Sequence, residues 1–139
     1  MNKLIFVLFL SLTACSNNLS VDDLHGNWSI RKEKSAAQIV GIGEEESLAL
    51  MNEKLVISQN QIQLQNQVCQ YDEIKQGEQT VTEFLQLYRL DASTQFPKNT
   101  QVLNLECEGE FLIAHLLKSD STLWFVWYGL LLEATRKPA

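Results

Sequence analysis

Apolar and polar residues alternate along much of this chain, with the period of two that sends successive side chains to opposite faces of a strand. In a first such segment Trp28 and Ile30 alternate with Asn27, Ser29 and Arg31. Residues 54–58 (KLVIS) form a second, and a turn at Gln59-Asn60 leads into a third. There Ile62, Leu64 and Val68 share one side while Gln61, Gln63, Gln65 and Gln67 share the other, the pattern of a strand with one face in a core and one in water. Asn66 interrupts the apolar side and marks a candidate bulge. After a turn at 96–99 (FPKN), residues 101–107 and 110–117 meet through Glu108-Gly109. Residues 119–121 (SDS) lead into a strand over 122–127, and Tyr128-Gly129 turns the chain into a last strand over 130–137.

Two segments depart from this period. Residues 34–47 carry no alternation, and residues 44–53 (EEESLALMNE) read as a short helix with acidic residues in its first turn, where the helix dipole favours them. Residues 80–90 (TVTEFLQLYRL) carry two patterns at once: Val81, Phe84, Leu85 and Tyr88 have helical spacing, while alternation and a β-branched start also fit a strand. The segment 122–127 is apolar on both sides, Phe125 and Trp127 alternating with Trp124, Val126 and Tyr128. One side is core; the other is either covered by the helix at 44–53 or exposed as a binding patch. The chain is therefore mainly β, about eight antiparallel strands joined by short turns with one short helix. That pattern is a meander closed into a barrel, or a sandwich, and closure is favoured because it removes exposed strand edges.

With 139 residues, 45 % hydrophobic and 20 % charged, the chain has the make-up of one globular domain. Seventeen acidic residues against eleven basic leave a formal charge of −6, which argues against a nucleic-acid partner, since phosphate contacts need concentrated Lys and Arg.

Residues 1–14 stand apart from this pattern. Lys3 precedes an apolar run over 4–10 (LIFVLFL), too short to span a bilayer as a helix, and Leu12-Thr13-Ala14-Cys15 follows. This string resembles the bacterial lipobox: an aliphatic residue, two small residues, then the Cys that is lipidated and becomes the new N-terminus. The resemblance implies a lipoprotein signal peptide over 1–14, a lipidated tether over 15–23 beginning at Cys15 with its palmitate-type chains, and a folded domain over 24–139. Several acyl chains, at about 0.8 kcal/mol per buried CH₂, anchor firmly. Ser16 after the Cys implies, by the same resemblance in a double-membrane host, sorting to the outer membrane, so the expected place is the cell envelope, facing the periplasm or the exterior. The expected partner at that end is the membrane, reached through lipid. Without residues 1–14 the chain carries a formal charge of −7, because Lys3 is the only charged residue lost.

Assigning Cys15 to lipid leaves Cys69 and Cys107. Outside the cytoplasm two such thiols pair as a rule, and the bridge would close a loop of about 39 residues, worth about 4 kcal/mol on the chain-entropy model. Two buried free thiols are the alternative. A zinc site lacks support, because there is no CxxC and the two His residues are not spaced as ligands.

Gly26-Asn27-Trp28 opens the first strand, and Arg136 stands near the end of the last, on a face otherwise formed by Leu130, Leu132 and Ala134. This resembles the lipocalin and wider calycin pattern, Gly-x-Trp on strand one with an Arg on the final strand. The resemblance implies an eight-stranded meander barrel in which Gly26, Trp28 and Arg136 close one end, the guanidinium packing across the indole. An Arg on an apolar face is costly without a partner, and a desolvated Arg over an indole is worth about 2 kcal/mol. The family's Thr-Asp-Tyr-like turn is absent and the chain is short for the family, which favours a shallow or filled barrel.

No catalytic motif is present. There is no GxSxG elbow with His and Asp, no HExxH, and Gly41-Ile42-Gly43 lacks the third glycine and the preceding strand of a dinucleotide site. His115 shares a face with Phe111, Ile113 and Leu117 and reads as a core histidine; His25 reads as a loop residue. The run Glu44-Glu45-Glu46 lacks the spaced ligands of a calcium loop. The expectation is a non-enzymatic, lipid-anchored envelope protein without cofactor or metal. It binds either a small apolar ligand or lipid, or a basic protein such as a lysozyme-like hydrolase, towards which its negative charge would steer.

Overall fold

The computed structural model describes residues 21–37, 40–108 and 113–136. Cys15, the expected signal peptide over 1–14 and most of the expected tether over 15–23 lie outside the described residues. A 3-10 turn, Val21–Leu24, leads into β1, Gly26–Ala36. Then come α1 (Glu44–Ala49), β2 (Lys54–Ile57), β3 (Gln61–Leu64), β4 (Gln67–Gln70), β5 (Ile74–Gln76) and α2 (Val81–Leu87). The chain continues through β6 (Gln101–Leu105), β7 (His115–Ser119), β8 (Thr122–Trp127) and β9 (Leu130–Thr135). Among the described residues no helix is long and apolar enough to cross a membrane.

The nine strands form one antiparallel sheet in the order β4-β3-β2-β1-β9-β8-β7-β6-β5. Every neighbour is the next strand in sequence except β1 and β9, whose pairing joins first strand to last. The sheet is a meander curled into a half-barrel. Its two outer strands, β4 and β5, are consecutive in the chain, and they meet the same partner. Gln70 at the end of β4 bridges Glu108 beyond β6, and β5 pairs Ile74 with Leu105 and Gln76 with Leu103. The registers follow one another along the strand with one residue of slip, so β4 and β5 are one strand bent at residues 71–73. Counted that way there are eight strands among the described residues, as many as expected but not the same ones: residues 61–70 supply two, and the segment 80–90 supplies a helix instead of a strand. The Cys69–Cys107 disulfide, Cα atoms 5.2 Å apart, staples this seam beside the Gln70–Glu108 bridge.

Two local readings are corrected, and a third segment that sequence left open is decided. Residues 61–68 are not one strand with a bulge but the hairpin β3–β4, turning at Gln65-Asn66 with Gln65 at φ +53°. Ile62 pairs with Cys69 and Gln63 with Val68, so Val68 lies on the outer face, 41 % exposed, rather than with Ile62 and Leu64. A two-residue turn resets the alternation, and the glutamine run carries no apolar signal to reveal it. β1 runs on to Ala36, past the end of its alternation, because register shifts between Ile30 and Lys32 and between Glu33 and Ser35 break the period while pairing with β9 continues. Residues 80–90 are helical: Thr80 caps α2 by accepting a hydrogen bond from the Glu83 N–H at 3.1 Å, and Glu83 reaches back towards the Thr80 hydroxyl at 3.3 Å.

Two apolar cores follow from the double-sided β8. Inside the curl, Trp28, Ile30, Leu55, Ile62, Phe125 and Trp127 are among the buried side chains that fill the interior. Outside, Trp124, Val126, Leu117 and Leu131 pack against Phe84 and Leu85 of α2. The outer face of β8 is therefore covered by α2, not by the helix at 44–53. That helix is shorter than expected and buries none of its residues. Full burial of a Phe or Leu is worth about 1.5–3 kcal/mol, so Phe84 and Leu85 suffice to hold α2 on the sheet.

Candidate functional site

The barrel has two unlike ends. The register of β1 on β9 runs from Ser29 against Thr135 at one end to Ala36 against Leu130 at the other. At about 3.3 Å per residue the six residues of β9 separate them by roughly 17 Å.

At the first end Arg136 Cζ lies 4.7 Å from the Trp28 ring. Its Nη1 donates to the carbonyl oxygens of Asp23 and His25, both at 2.8 Å, and the Trp28 Nε1–H donates to the Leu24 carbonyl at 2.8 Å. The 3-10 turn is thereby tied across the barrel end. Gly26 stands at φ +133°, which favours glycine, and a Cβ there would lie 3.3 Å from Arg136 Cδ, close enough that the arginine would have to give by a few tenths of an ångström. The structure thus brings together the three residues singled out for this end. Lys118 sits nearby, its Nζ donating to the Asp120 carbonyl at 2.6 Å. Burial, and then the charge of Arg136, lower its pKa against smaller opposing effects of Asp23 and Asp120.

The opposite end is a mouth. Tyr128 and Gly129 form the β8–β9 turn with φ of +50° and +84°. Their carbonyls accept from Gly41 N–H and Ala37 N–H, both at 2.8 Å, which places Ala37 and residues 40–43 at the rim. α1 follows and returns the chain to buried Leu50. A hollow of about 430 Å³ remains there, lined by Ile42, Glu46, Leu50, Gln65, Trp127 and Tyr128 among others. Trp127 and Tyr128 meet edge to face, ring centroids 5.4 Å apart. Trp127 is buried and forms the floor, whereas Tyr128 is 40 % exposed at the wall. The hollow is shallow because the side chains of the inner core occupy the barrel below it. Sequence reasoning did not single out this site: its walls come from three segments that converge only in the fold.

A second hollow, about 770 Å³, lies at the bend between β4 and β5. Asp72, Glu73, Glu106 and Glu108 line it, with Lys75 as the one cation lining it among the described residues. Lys75 is paired with Glu73 at 3.0 Å, and that hydrogen bond, with the charges of Glu73 and Glu106, raises its pKa.

His115 lies away from both hollows. Its Nδ1 is 2.6 Å from the Tyr88 hydroxyl, joining β7 to α2 on the outer face. It shares that face with Leu117, whereas Ile113 belongs to the inner core and Phe111 lies outside the described residues. The strand is regular only from His115, so alternation does not extend back to Ile113. Burial raises the Tyr88 pKa to about 12 and lowers that of His115. Among the described residues no group of three or more His, Cys, Asp and Glu is placed to hold a metal ion. Comparison of the chain with protein-family models, with curated proteins and with solved structures finds no match.

Proposed function

We propose that this chain is a lipid-anchored binding protein of the cell envelope, lipocalin-like in build, which takes the apolar part of a small ligand at the barrel mouth. The observation that carries this reading is the mouth hollow. Its volume of about 430 Å³ lies in the range of small-molecule sites, and its lining mixes the apolar side chains of Ile42, Leu50 and Trp127 with the polar groups of Glu46, Gln65 and Tyr128. The lipobox at 12–15 supports the anchor, and the Trp28–Arg136 end supports the lipocalin-like build. The filled interior directs the ligand to the mouth rather than into the barrel.

The test is thermal unfolding of the mature chain with medium-chain alcohols, fatty acids, lipids and haem. A ligand at a hundred times its Kd adds about 2.7 kcal/mol. At roughly 4 °C per kcal/mol for a domain of this size, that raises Tm by about 10 °C. No shift with any of them refutes the reading. A second reading, a docking site for a basic protein, rests on the acidic hollow at the seam, which Asp72, Glu73, Glu106 and Glu108 line together with Lys75. Salt-sensitive capture of a lysozyme-like protein is its test, and binding indifferent to salt counts against it.

A further inference from the structure

The mouth hollow has a chemical bias beyond being apolar. Its floor and wall are two aromatic rings set at 89° to one another, Trp127 and Tyr128. Its charged lining residue is Glu46, which α1 carries on the third position of an acidic first turn behind Glu44 and Glu45. Gln65 adds an amide, and among the described residues no Lys, Arg or His lines the hollow. Ring faces and a carboxylate are the groups that recognise an organic cation, and the apolar remainder receives an alkyl chain.

The position of Tyr128 points the same way. It is a bulky aromatic at φ +50°, a conformation that Asn, Asp or Gly takes at lower cost in a two-residue hairpin turn. The Asp120-Ser121 turn at the other end of β8 uses Asp at its left-handed position. Gln65, at φ +53°, lines the same hollow as the Tyr128 ring in the same left-handed conformation, so two strained positions border the mouth, a feature that accompanies a binding role. The ring is also held in place: the Gln67 amide lies 3.4 Å from its hydroxyl, and a Cβ on Gly41 would lie 3.2 Å from its edge. The rim glycine lets the backbone at Gly41 approach the ring closely.

We infer that the mouth selects a cationic amphiphile, an ammonium head on an alkyl chain, with Glu46 and Tyr128 meeting the head and Ile42, Leu50 and Trp127 meeting the chain. This rests on the mouth being the ligand site, and it names the ligand class for that site. It also specifies the chemistry against the alternatives: an alkyl carboxylate would bring its charge against Glu46, and a neutral alcohol would forgo both the carboxylate and the rings.

The experiment titrates tryptophan fluorescence of the mature chain with decyltrimethylammonium, 1-decanol and decanoate, each below its aggregation concentration. The cation binds at least tenfold more tightly than decanol, and decanoate more weakly than decanol. Tetramethylammonium, the head without the tail, binds at least tenfold more weakly than the full cation. Glu46→Gln, on an exposed helix face, leaves the fold and decanol affinity intact and removes the preference for the cation. Tyr128→Asn, which suits the turn backbone, lowers cation affinity several-fold more than decanol affinity. The inference is overturned if decanol or decanoate binds as tightly as the cation, if tetramethylammonium matches it, or if Glu46→Gln retains the preference. Binding of all three chains without discrimination overturns the cation selectivity alone, whereas binding of none overturns the mouth as a ligand site.

Discussion

Arg136 makes the sharpest test of how the barrel end is held. Replacing it by Ala removes one guanidinium that donates to two backbone carbonyls at 2.8 Å and lies 4.7 Å from the Trp28 ring. A hydrogen bond from a charged donor is worth about 1.5–3 kcal/mol, and a cation over an indole about 0.5–2. These do not add in full. The Asp23 carbonyl is exposed and water replaces its donor, whereas the His25 carbonyl is part-buried and is left poorly satisfied. The net loss is about 2–4 kcal/mol. At roughly 4 °C per kcal/mol for a domain of this size, Tm falls by about 8–16 °C. Calorimetry of the mature chain measures it, with urea unfolding as a second reading. Arg136→Lys recovers less than half, because an ammonium lacks the planar fork that lies on the ring while donating to two carbonyls. A double-mutant cycle with Trp28→Leu isolates the ring term, at about 0.5–2 kcal/mol of coupling. A Tm drop under about 2 °C for Arg136→Ala, or zero coupling to Trp28, would refute the reasoning.

Other consequences are open to direct measurement. Replacing both Cys69 and Cys107 by Ala costs up to about 4 kcal/mol, and reduction of the native chain reproduces the loss; an unchanged urea midpoint contradicts the stapled seam. His115 has a lowered pKa in the folded chain, so its contribution is present above the ordinary value near 6.5 and is lost as pH falls through the lowered one. Unfolding midpoints between pH 8 and 5 follow it, and His115→Gln flattens that part of the profile. Thr80→Ala removes the α2 cap at about 1 kcal/mol, lowering Tm by about 4 °C; equal or greater stability shows that the cap is idle. Cys15→Ser in the full chain moves the protein from the detergent phase to the aqueous phase on phase partitioning, and continued detergent partitioning would remove the lipid anchor.

The readable and unreadable parts of the fold divide along the range of the interactions. α2 was open between helix and strand on periodicity, yet Thr80-Val81-Thr82-Glu83 is a capping box, a local signal in the sequence that decides for helix. β8 and β9 were legible to the residue at the Tyr128-Gly129 turn because turn chemistry and alternation agree there. The β3–β4 hairpin was not, because Gln65-Asn66 sits in a run of polar residues whose period does not change across the turn.

Alternation, the two-residue turn at Tyr128-Gly129 and the pair of cysteines act between near neighbours or through covalent chemistry, so the sequence by itself determined a mainly antiparallel β chain, the β8–β9 hairpin and the candidate bridge. Which helix covers the outer face of β8, where the bent strand β4–β5 meets β6, and how Ile42, Glu46, Gln65 and Tyr128 come to surround one hollow were decided only by tertiary structure. Those placements depend on how the whole sheet curls and on which apolar faces compete for cover. No single segment carries that information, because burial is non-directional and rewards whichever surface closes the core.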